Sequence, residues 1–135
     1  MQAGLRAVLG NSVKQMGSDI TPQRLRFDFS FDRKLEDNEL KQVEEWVNKA
    51  IKDALPVVCN EVEREQAIQQ GALYNEKETY PDVVKVYSVG NRGSEISKEM
   101  CGGPHIENTQ QIKHFQITKQ ESVGAGIRRI RGVIQ

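Results

Sequence analysis

The sequence contains few of the residues that build redox or metal sites. Its 135 residues include two cysteines, two histidines and one tryptophan. Neither Cys59 nor His114 lies in a spaced pair such as CxxC or HxxxH. Two cysteines of dissimilar context exclude a disulfide scaffold and indicate a reducing compartment. We therefore expect Cys59 to be a buried small apolar residue.

Several common sequence signatures are also missing. No apolar run approaches the roughly 20 residues that a membrane-spanning helix needs, and the first residues lack the parts of a signal peptide. The sequence therefore predicts a cytoplasmic protein with no membrane partner. The glycines never form GxGxxG between a strand and a helix, and there is no Walker A sequence, which argues against a Rossmann fold and a P-loop nucleotide site.

No charge of one sign dominates the chain. Nineteen basic residues balance nineteen acidic ones, so the total charge does not require a polyanionic partner. The distribution is uneven, because the last segment has one acid, Glu121, among several cations. These cations are Lys113, Lys119, Arg128, Arg129 and Arg131. This end of the chain could face phosphates, and the alternative is a solvated face with scattered charge.

The hydrophobic pattern predicts a small α+β domain. Residues 25–31 alternate apolar and polar side chains like a strand with one buried face, and residues 36–55 repeat apolar side chains at helical spacing until Pro56. Residues 1–9 have helical composition, and 14–18 read as a polar bend. Further predictions are strands at 57–62, 83–89, 115–118 and 127–134 and a short helix at 64–70. Together they predict one domain, a two-layer sandwich of an antiparallel or mixed sheet with one long and one short helix.

The most informative motif is Cys101-Gly102-Gly103-Pro104-His105. A thiolate and an imidazole on either side of a glycine-rich bend can bind one metal ion, and zinc prefers such ligands in a tetrahedral set of four. The motif therefore indicates half of a zinc site. An unoccupied Cys and His at a tight turn is the alternative, and a nucleophilic Cys-His pair is less favoured because no third group orients the histidine.

Four separated segments resemble one family. They are QMGS at residues 15–18, LRFDFS at 25–30, CGGPH at 101–105 and AGIRRI at 125–130. In this order and spacing they are similar to the editing domain of alanyl-tRNA synthetase, to free-standing alanyl-tRNA editing proteins and, more distantly, to the editing region of threonyl-tRNA synthetase. The resemblance implies a two-layer α+β domain that hydrolyses alanine tRNA mischarged with serine or glycine. It also implies zinc, tRNA specific for alanine and the other domains of a full-length synthetase.

Residue roles follow from the resemblance by position. Cys101 and His105 match two zinc ligands of the family, whereas the family's HxxxH pair has no counterpart here. We therefore expect a domain truncated in its N-terminal helix, as part of a larger synthetase; a gene fragment and a natural homologue without the first pair are alternatives. Pro104 stands where the synthetases usually have threonine, which puts fine substrate recognition in doubt.

The remaining candidate residues surround the predicted pocket. Gln15 matches a pocket glutamine that could bind the amino acid or a water, and an ordinary turn glutamine is the alternative. Ser18 and Asp28 could line the same pocket. Gly102 and Gly103 are assigned to substrate binding, and Arg129 and Arg131, which share one face of a strand, are assigned to tRNA binding. We expect Arg128 to pair with Glu99 or Glu121. We expect Trp46 to pack in the core.

Three functions remain open from the sequence. The first is a hydrolase of mischarged tRNA inside a parent that carries ATP-dependent alanine ligation on a separate domain. The second is a non-catalytic tRNA-binding or structural module that lacks half of the zinc site. The third is a small zinc protein that obtains further ligands in trans, for example in a dimer.

Overall fold

The computed structural model describes residues 1–103 and 105–135. Within these residues the chain forms three α-helices, seven strands and one 3-10 helix, which confirms the α+β class. In chain order they are α1 (Gln2–Leu9), β1 (Gln15–Ile20), β2 (Arg24–Ser30), α2 (Asp37–Lys52), β3 (Val57–Glu63), α3 (Arg64–Gln69), β4 (Val83–Val89), β5 (Ser97–Met100), the 3-10 helix (Thr109–Ile112), β6 (Phe115–Gly124) and β7 (Ile127–Ile134). None of the helices in this described part is long and apolar enough to cross a membrane.

Local interactions of the backbone and side chains set the two ends of helix α2. At its start the backbone N–H of Glu36 donates to a carboxylate oxygen of Glu39 at 2.9 Å, which satisfies a donor that the helix leaves free. Its apolar stripe buries Val43 and Ile51. The predicted helix at 36–55 is confirmed, although it ends earlier because Ala54 has a positive φ of 50°.

Four strands form sheet I, in the order β1-β2-β7-β6, and all neighbours are antiparallel. Phe27 lies opposite Ile130, so both side chains point to the same face of the sheet. Helices α1 and α2 contact each other, and their apolar residues pack with this face to form the main core. Its buried members are Leu5, Val13, Phe27, Phe29, Leu35, Val43 and Ile130.

Strands β6 and β7 of sheet I are in very close contact at Gly132 and Phe115. Gly132 of β7 lies under the ring of Phe115, and a Cβ atom at position 132 would be 2.5 Å from that ring. Phe115 is 3% exposed, so its ring occupies the space that any side chain at position 132 would need.

Three strands form sheet II, in the order β3-β4-β5, again antiparallel. Helix α3 covers one face, and a second apolar cluster lies between them. Its buried members are Ala67, Ala72, Val84, Val86 and Met100. The outer edge of β5 is closed by Leu73, which donates its N–H to Lys98 and accepts the N–H of Met100.

The two sheets are joined around the end of α2. The Thr109 hydroxyl donates to the carbonyl of Ala50 at 2.6 Å and accepts the N–H of Leu55 at 2.8 Å. The backbone of Val57, the first residue of β3, donates to Glu107. This joint connects α2, sheet II and the segment that leads into β6.

Four points of the element prediction need correction. Residues 15–18 are not a bend, because Gln15 starts β1 and pairs with Phe29 of β2. Strand β5 was not predicted, and β6 extends to Gly124 rather than ending at Thr118. The strands also divide into two sheets, which the sequence pattern did not indicate.

Candidate functional site

The Cys-Gly-Gly bend continues directly from β5. The backbone N–H of Cys101 donates to the carbonyl of Lys85 on β4 at 3.1 Å, and the Cys101 sulfur accepts the N–H of Gly103 at 3.4 Å. Gly103 has a φ of 70°, and a Cβ there would collide with the hydroxyl of Tyr87, whereas nothing lies near a Cβ at Gly102. Gly103 is therefore the glycine that this bend requires. Pro104 lies outside the described residues.

Tyr87 holds the imidazole of His105. The two rings stack with centroids 4.0 Å apart and planes inclined by 23°. Partial burial lowers the pKa of His105, and the nearby Glu99 carboxylate acts in the opposite direction. The imidazole is therefore neutral at physiological pH, so it can accept a proton or donate a lone pair to a metal. Tyr87 was not among the predicted site residues.

A cavity of about 440 Å³ opens beside the bend. Cys101 and Gly102 line it, which places these two predicted residues at one concave site. Glu61, Lys85 and Tyr80 also line it, so an acid, a base and a phenol surround this cavity. Opposite charges on two neighbouring strands could bind a ligand that carries both an amino group and a phosphate.

Sequence analysis missed Tyr80, Lys85 and Glu61, although a signal for part of this set was present. Val84 and Val86 alternate with Lys85 and Tyr87 along β4, and the two valines are buried. Because alternate residues of a strand point to opposite faces, Lys85 and Tyr87 share the open face of sheet II. This alternation was readable from the sequence.

The described residues do not form a complete zinc site. Across residues 1–103 and 105–135, no group of three His, Cys, Asp or Glu side chains is placed to hold a metal ion. Cys101 and His105 offer a thiolate and an imidazole, which is half of the tetrahedral set that zinc prefers. Zinc at this bend therefore stays a prediction.

Cys59 is exposed, and its prediction as a buried apolar residue is wrong. It lies opposite Tyr87 on β3, on the open face of sheet II. Burial raises the pKa of the Tyr87 phenol, and a hydrogen bond with the Cys59 thiol raises it further. Cys59 therefore belongs to the surroundings of the bend rather than to a core.

Gln15 and Ser18 lie together on the edge strand β1. The Gln15 amide donates to the Ser18 hydroxyl at 3.2 Å, across an irregularity in register between Gln15 and Gly17. The preceding residue, Lys14, pairs with Glu76 at 2.8 Å, which brings the start of β1 to the loop before β4. Their predicted pocket roles stay predictions.

Asp28 faces away from Ser18. Ser18 lies opposite Phe27, so it shares the face of sheet I that bears the core, whereas Asp28 points to the other face. Asp28 is 8% exposed and accepts two hydrogen bonds from Arg129, at 2.7 and 2.9 Å. This hydrogen-bonded guanidinium lowers the pKa of the Asp28 carboxyl. The two side chains are thus on opposite faces of sheet I, and their predicted roles in one pocket stay predictions.

The C-terminal arginines divide between the two faces of β7. Arg128 donates to the side-chain carbonyl of Gln120 at 3.1 Å, so the expected pairing with Glu99 or Glu121 is wrong. Arg131 donates to Glu121 at 3.3 Å on the same face as Arg129. Their predicted contact with tRNA stays a prediction.

Trp46 of α2 packs against α1. It is half-buried, and its ring leaves only 2.9 Å for a Cβ at Gly4 of α1. Trp46 therefore serves the α1–α2 contact, in line with its predicted packing role.

Residues 84–131 match the family described as the threonyl and alanyl tRNA synthetase second additional domain. The match runs from β4 through the Cys-Gly-Gly bend and β6 into β7. The resemblance found from the four sequence segments is confirmed.

Curated relatives extend the similarity to the whole chain. The chain is 45% identical over 135 residues to the alanine–tRNA ligase of Treponema pallidum, which is all of this chain and 22% of the relative. It is 43% identical to that of Borreliella burgdorferi, over 99% of the chain and 22% of the relative. For Thermotoga maritima the identity is 45%, over 98% of the chain and 15% of the relative. The chain thus spans about a fifth or less of the length of these relatives.

Proposed function

We propose that this chain, which carries the second additional domain of threonyl and alanyl tRNA synthetases at residues 84–131, hydrolyses mischarged alanine tRNA. The substrate is the ester between serine or glycine and the 3′ end of the tRNA, and the setting is the cytoplasm. Ligation of alanine with ATP belongs to parts of such synthetases outside the aligned segment. None of the candidate residues here has a role in it.

The cavity beside Cys101 is the observation that carries this proposal. It lies at the bend inside the matched segment, and it combines a thiol, a carboxylate, an ammonium group and a phenol at one open mouth. An aminoacyl ester at the end of a tRNA needs such a mixed site, because its amino group, its ester and the nearby phosphates differ in charge.

The chain's own residues supply part of the chemistry. The neutral imidazole of His105, held by Tyr87, can accept a proton from a water molecule that attacks the ester. Glu61 can bind the free amino group, and Lys85 can bind a phosphate of the tRNA end. Gln15 and Ser18 form a hydrogen-bonded pair that could orient the amino acid.

Zinc stays a prediction for this chain. Cys101 and His105 would supply two ligands, and any other ligands must come from outside this pair. When bound at this position, zinc would polarise an oxygen of the ester or of water. Quantifying zinc in the purified chain and in the variants below tests this assignment.

Two matched pairs of variants test the hydrolase. Release of serine from serine-charged alanine tRNA is measured for Cys101→Ala beside Cys59→Ala, and for His105→Ala beside His114→Ala. We expect a loss of at least 100-fold for the first member of each pair, in the range of a lost general acid or base. We expect the second members to keep most activity, because neither Cys59 nor His114 belongs to the Cys101–His105 motif. Equal losses within either pair would contradict the assignment.

A second candidate function is a tRNA-binding or structural module without turnover. The observation that favours it is that the described residues contain no group of three potential metal ligands. Tight binding of alanine tRNA with no release of serine, at any zinc concentration tested, would establish this candidate instead of the hydrolase.

A further inference from the structure

Three neighbouring cations cross the face of sheet I that points away from α1 and α2. Arg26 on β2 lies directly opposite Arg131 on β7, and Arg131 lies directly opposite Lys119 on β6. Phe27 and Ile130 point to the helices, so these flanking residues point to the other face. We name Arg26, Arg131 and Lys119 the cationic row. Their side chains are 31%, 42% and 64% exposed.

This arrangement is unfavourable for the folded chain on its own. Like charges directly opposite on neighbouring strands repel each other and destabilise a sheet. One carboxylate, Glu121, serves two members of the row, at 3.3 Å from Arg131 and 3.0 Å from Lys119. Its second oxygen is 4.0 Å from Arg129. The acids of this face therefore compensate its cations only in part.

Arg26 retains a free donor. Its Nε atom is buried, and among the residues that the structure describes it has no hydrogen-bond partner. The nearest carboxylate oxygen belongs to Asp28 at 3.9 Å, beyond hydrogen-bonding distance, and both oxygens of Asp28 already accept from Arg129. A buried donor without an acceptor costs free energy, so the Arg26 guanidinium is incompletely satisfied within the described chain.

Two acids of this face, Asp28 and Glu121, lie deeper than the cations above them, whereas Asp19, opposite Arg26 on β1, is 49% exposed and pairs with Arg24 at 3.0 Å. The side chains of Asp28 and Glu121 are 11% and 22% exposed, less than any member of the cationic row. They hold the guanidinium groups of Arg129 and Arg131 in fixed orientations while the positive groups face solvent. A partner that approaches this face therefore meets positive charge on ordered side chains.

We propose that the cationic row binds the phosphate backbone of RNA. Guanidinium groups match phosphate oxygens in geometry, and three strands about 4.8 Å apart present the cations over roughly 10 Å, which suits a backbone rather than one enclosed anion. The choice of RNA as the anion rests on the proposed function.

The test measures binding of uncharged alanine tRNA at several salt concentrations. The row variant combines Arg26→Gln, Lys119→Gln and Arg131→Gln. The control variant combines Lys41→Gln, Lys49→Gln and Lys52→Gln, three exposed residues of α2 on the opposite side of sheet I, and removes the same charge. Each lost phosphate contact lowers the slope of log K against log salt by about 0.7 to 0.9. We expect the row variant to lose about 2 in slope and the control variant to keep the wild-type value.

Three results would overturn the proposal. They are a slope in the row variant like that of wild type, equal losses in the row and control variants, and wild-type binding to vesicles of anionic phospholipid but not to tRNA. Thermal unfolding without RNA checks that the row variant is folded, because it removes two partners of Glu121 as well as the repulsion within the row. If it unfolds, the single variant Arg26→Gln replaces it, with an expected slope loss of about 0.7 to 0.9.

The binding assay is independent of the proposed hydrolysis, because uncharged tRNA has no aminoacyl ester. A chain that binds through the row but releases no serine would contradict the hydrolase and support the row. A chain that releases serine equally well with and without the row, and binds tRNA equally well, would contradict the row alone.

Discussion

Gly103 is the residue on which the geometry of the bend depends most directly. Gly103 has a positive φ of 70°, and a Cβ atom at this position would collide with the Tyr87 hydroxyl. Tyr87 in turn stacks on His105. A side chain at position 103 would therefore disturb the phenol and, through it, the imidazole.

We expect Gly103→Ala to lower the free energy of unfolding by about 1 to 3 kcal/mol, because alanine is strained at a positive φ and its methyl group must displace Tyr87. Gly102→Ala, one position earlier, should change it by less than about 0.5 kcal/mol, since nothing lies near its Cβ. Urea unfolding measures both. The proton shifts of His105 should move in Gly103→Ala alone, and equal behaviour of the two variants would contradict the role of Gly103.

At the residue scale the sequence predicted the local part of the site and not its long-range contacts. Cys101 and Gly103 stand two residues apart, so the motif itself indicates a bend with a sulfur nearby. The stacking of Tyr87 on His105 joins residues 18 positions apart, and the pairing of Cys59 with Tyr87 depends on the register of β3 and β4. Neither contact has a local signature.

A nearly buried ion pair joins strands β2 and β7. Asp28 and Arg129 lie directly opposite and share two hydrogen bonds. Arg129 lowers the pKa of Asp28 in the folded chain below its value of 3.8 in the unfolded chain. The pair therefore stabilises the fold above pH 3.8, and its contribution disappears as the pH falls through the folded pKa.

We expect Asp28→Asn to lower the free energy of unfolding by about 2 to 4 kcal/mol at pH 7, because it leaves the guanidinium of Arg129 half-buried beside a neutral amide. The difference from wild type should shrink as the pH falls below 3.8 and through the folded pKa of Asp28, where the wild-type carboxyl becomes protonated. Asp19→Asn, on the exposed edge strand, is the control. A difference that does not shrink as the carboxyl becomes protonated would show that charge is not the cause.

At the element scale, the periodicity of apolar residues was sufficient to predict a strand or a helix where one face of that element is buried. The predicted bounds of β4 and β7 match the structure, and α2 differs only at its ends. Strand β1 was missed because it lies at an edge and exposes Asp19 and Ile20 alike, so its side chains do not alternate. Strand β5 has four residues and depends on Leu73 for its second partner, which no pattern within 97–100 reveals.

The whole molecule has two apolar clusters rather than one. The first lies between sheet I and the helices α1 and α2, and the second lies between sheet II and α3. Thr109 is 6% exposed at the joint that connects them. The sequence predicted the α+β class, but it could not predict this division, because which strands pair is decided by partners far apart in the chain.

We expect Thr109→Val to lower the free energy of unfolding by about 2 to 3 kcal/mol, because it leaves the buried carbonyl of Ala50 and the N–H of Leu55 without their hydroxyl partner. Thr109→Ser keeps the hydroxyl and loses one methyl group, at a cost of about 1 kcal/mol. Thermal unfolding followed by circular dichroism compares them. Equal costs would assign the effect to packing instead of hydrogen bonding.

The order of strands also has a consequence for synthesis on the ribosome. All three strands of sheet II are consecutive in the chain, so a nascent polypeptide has the whole sheet once Met100 is made. Strand β2 must wait for β7, since Asp28 and its partner Arg129 are 101 residues apart. Until then one edge of β2 and the adjoining apolar face are open, and the emerging chain needs protection there longest.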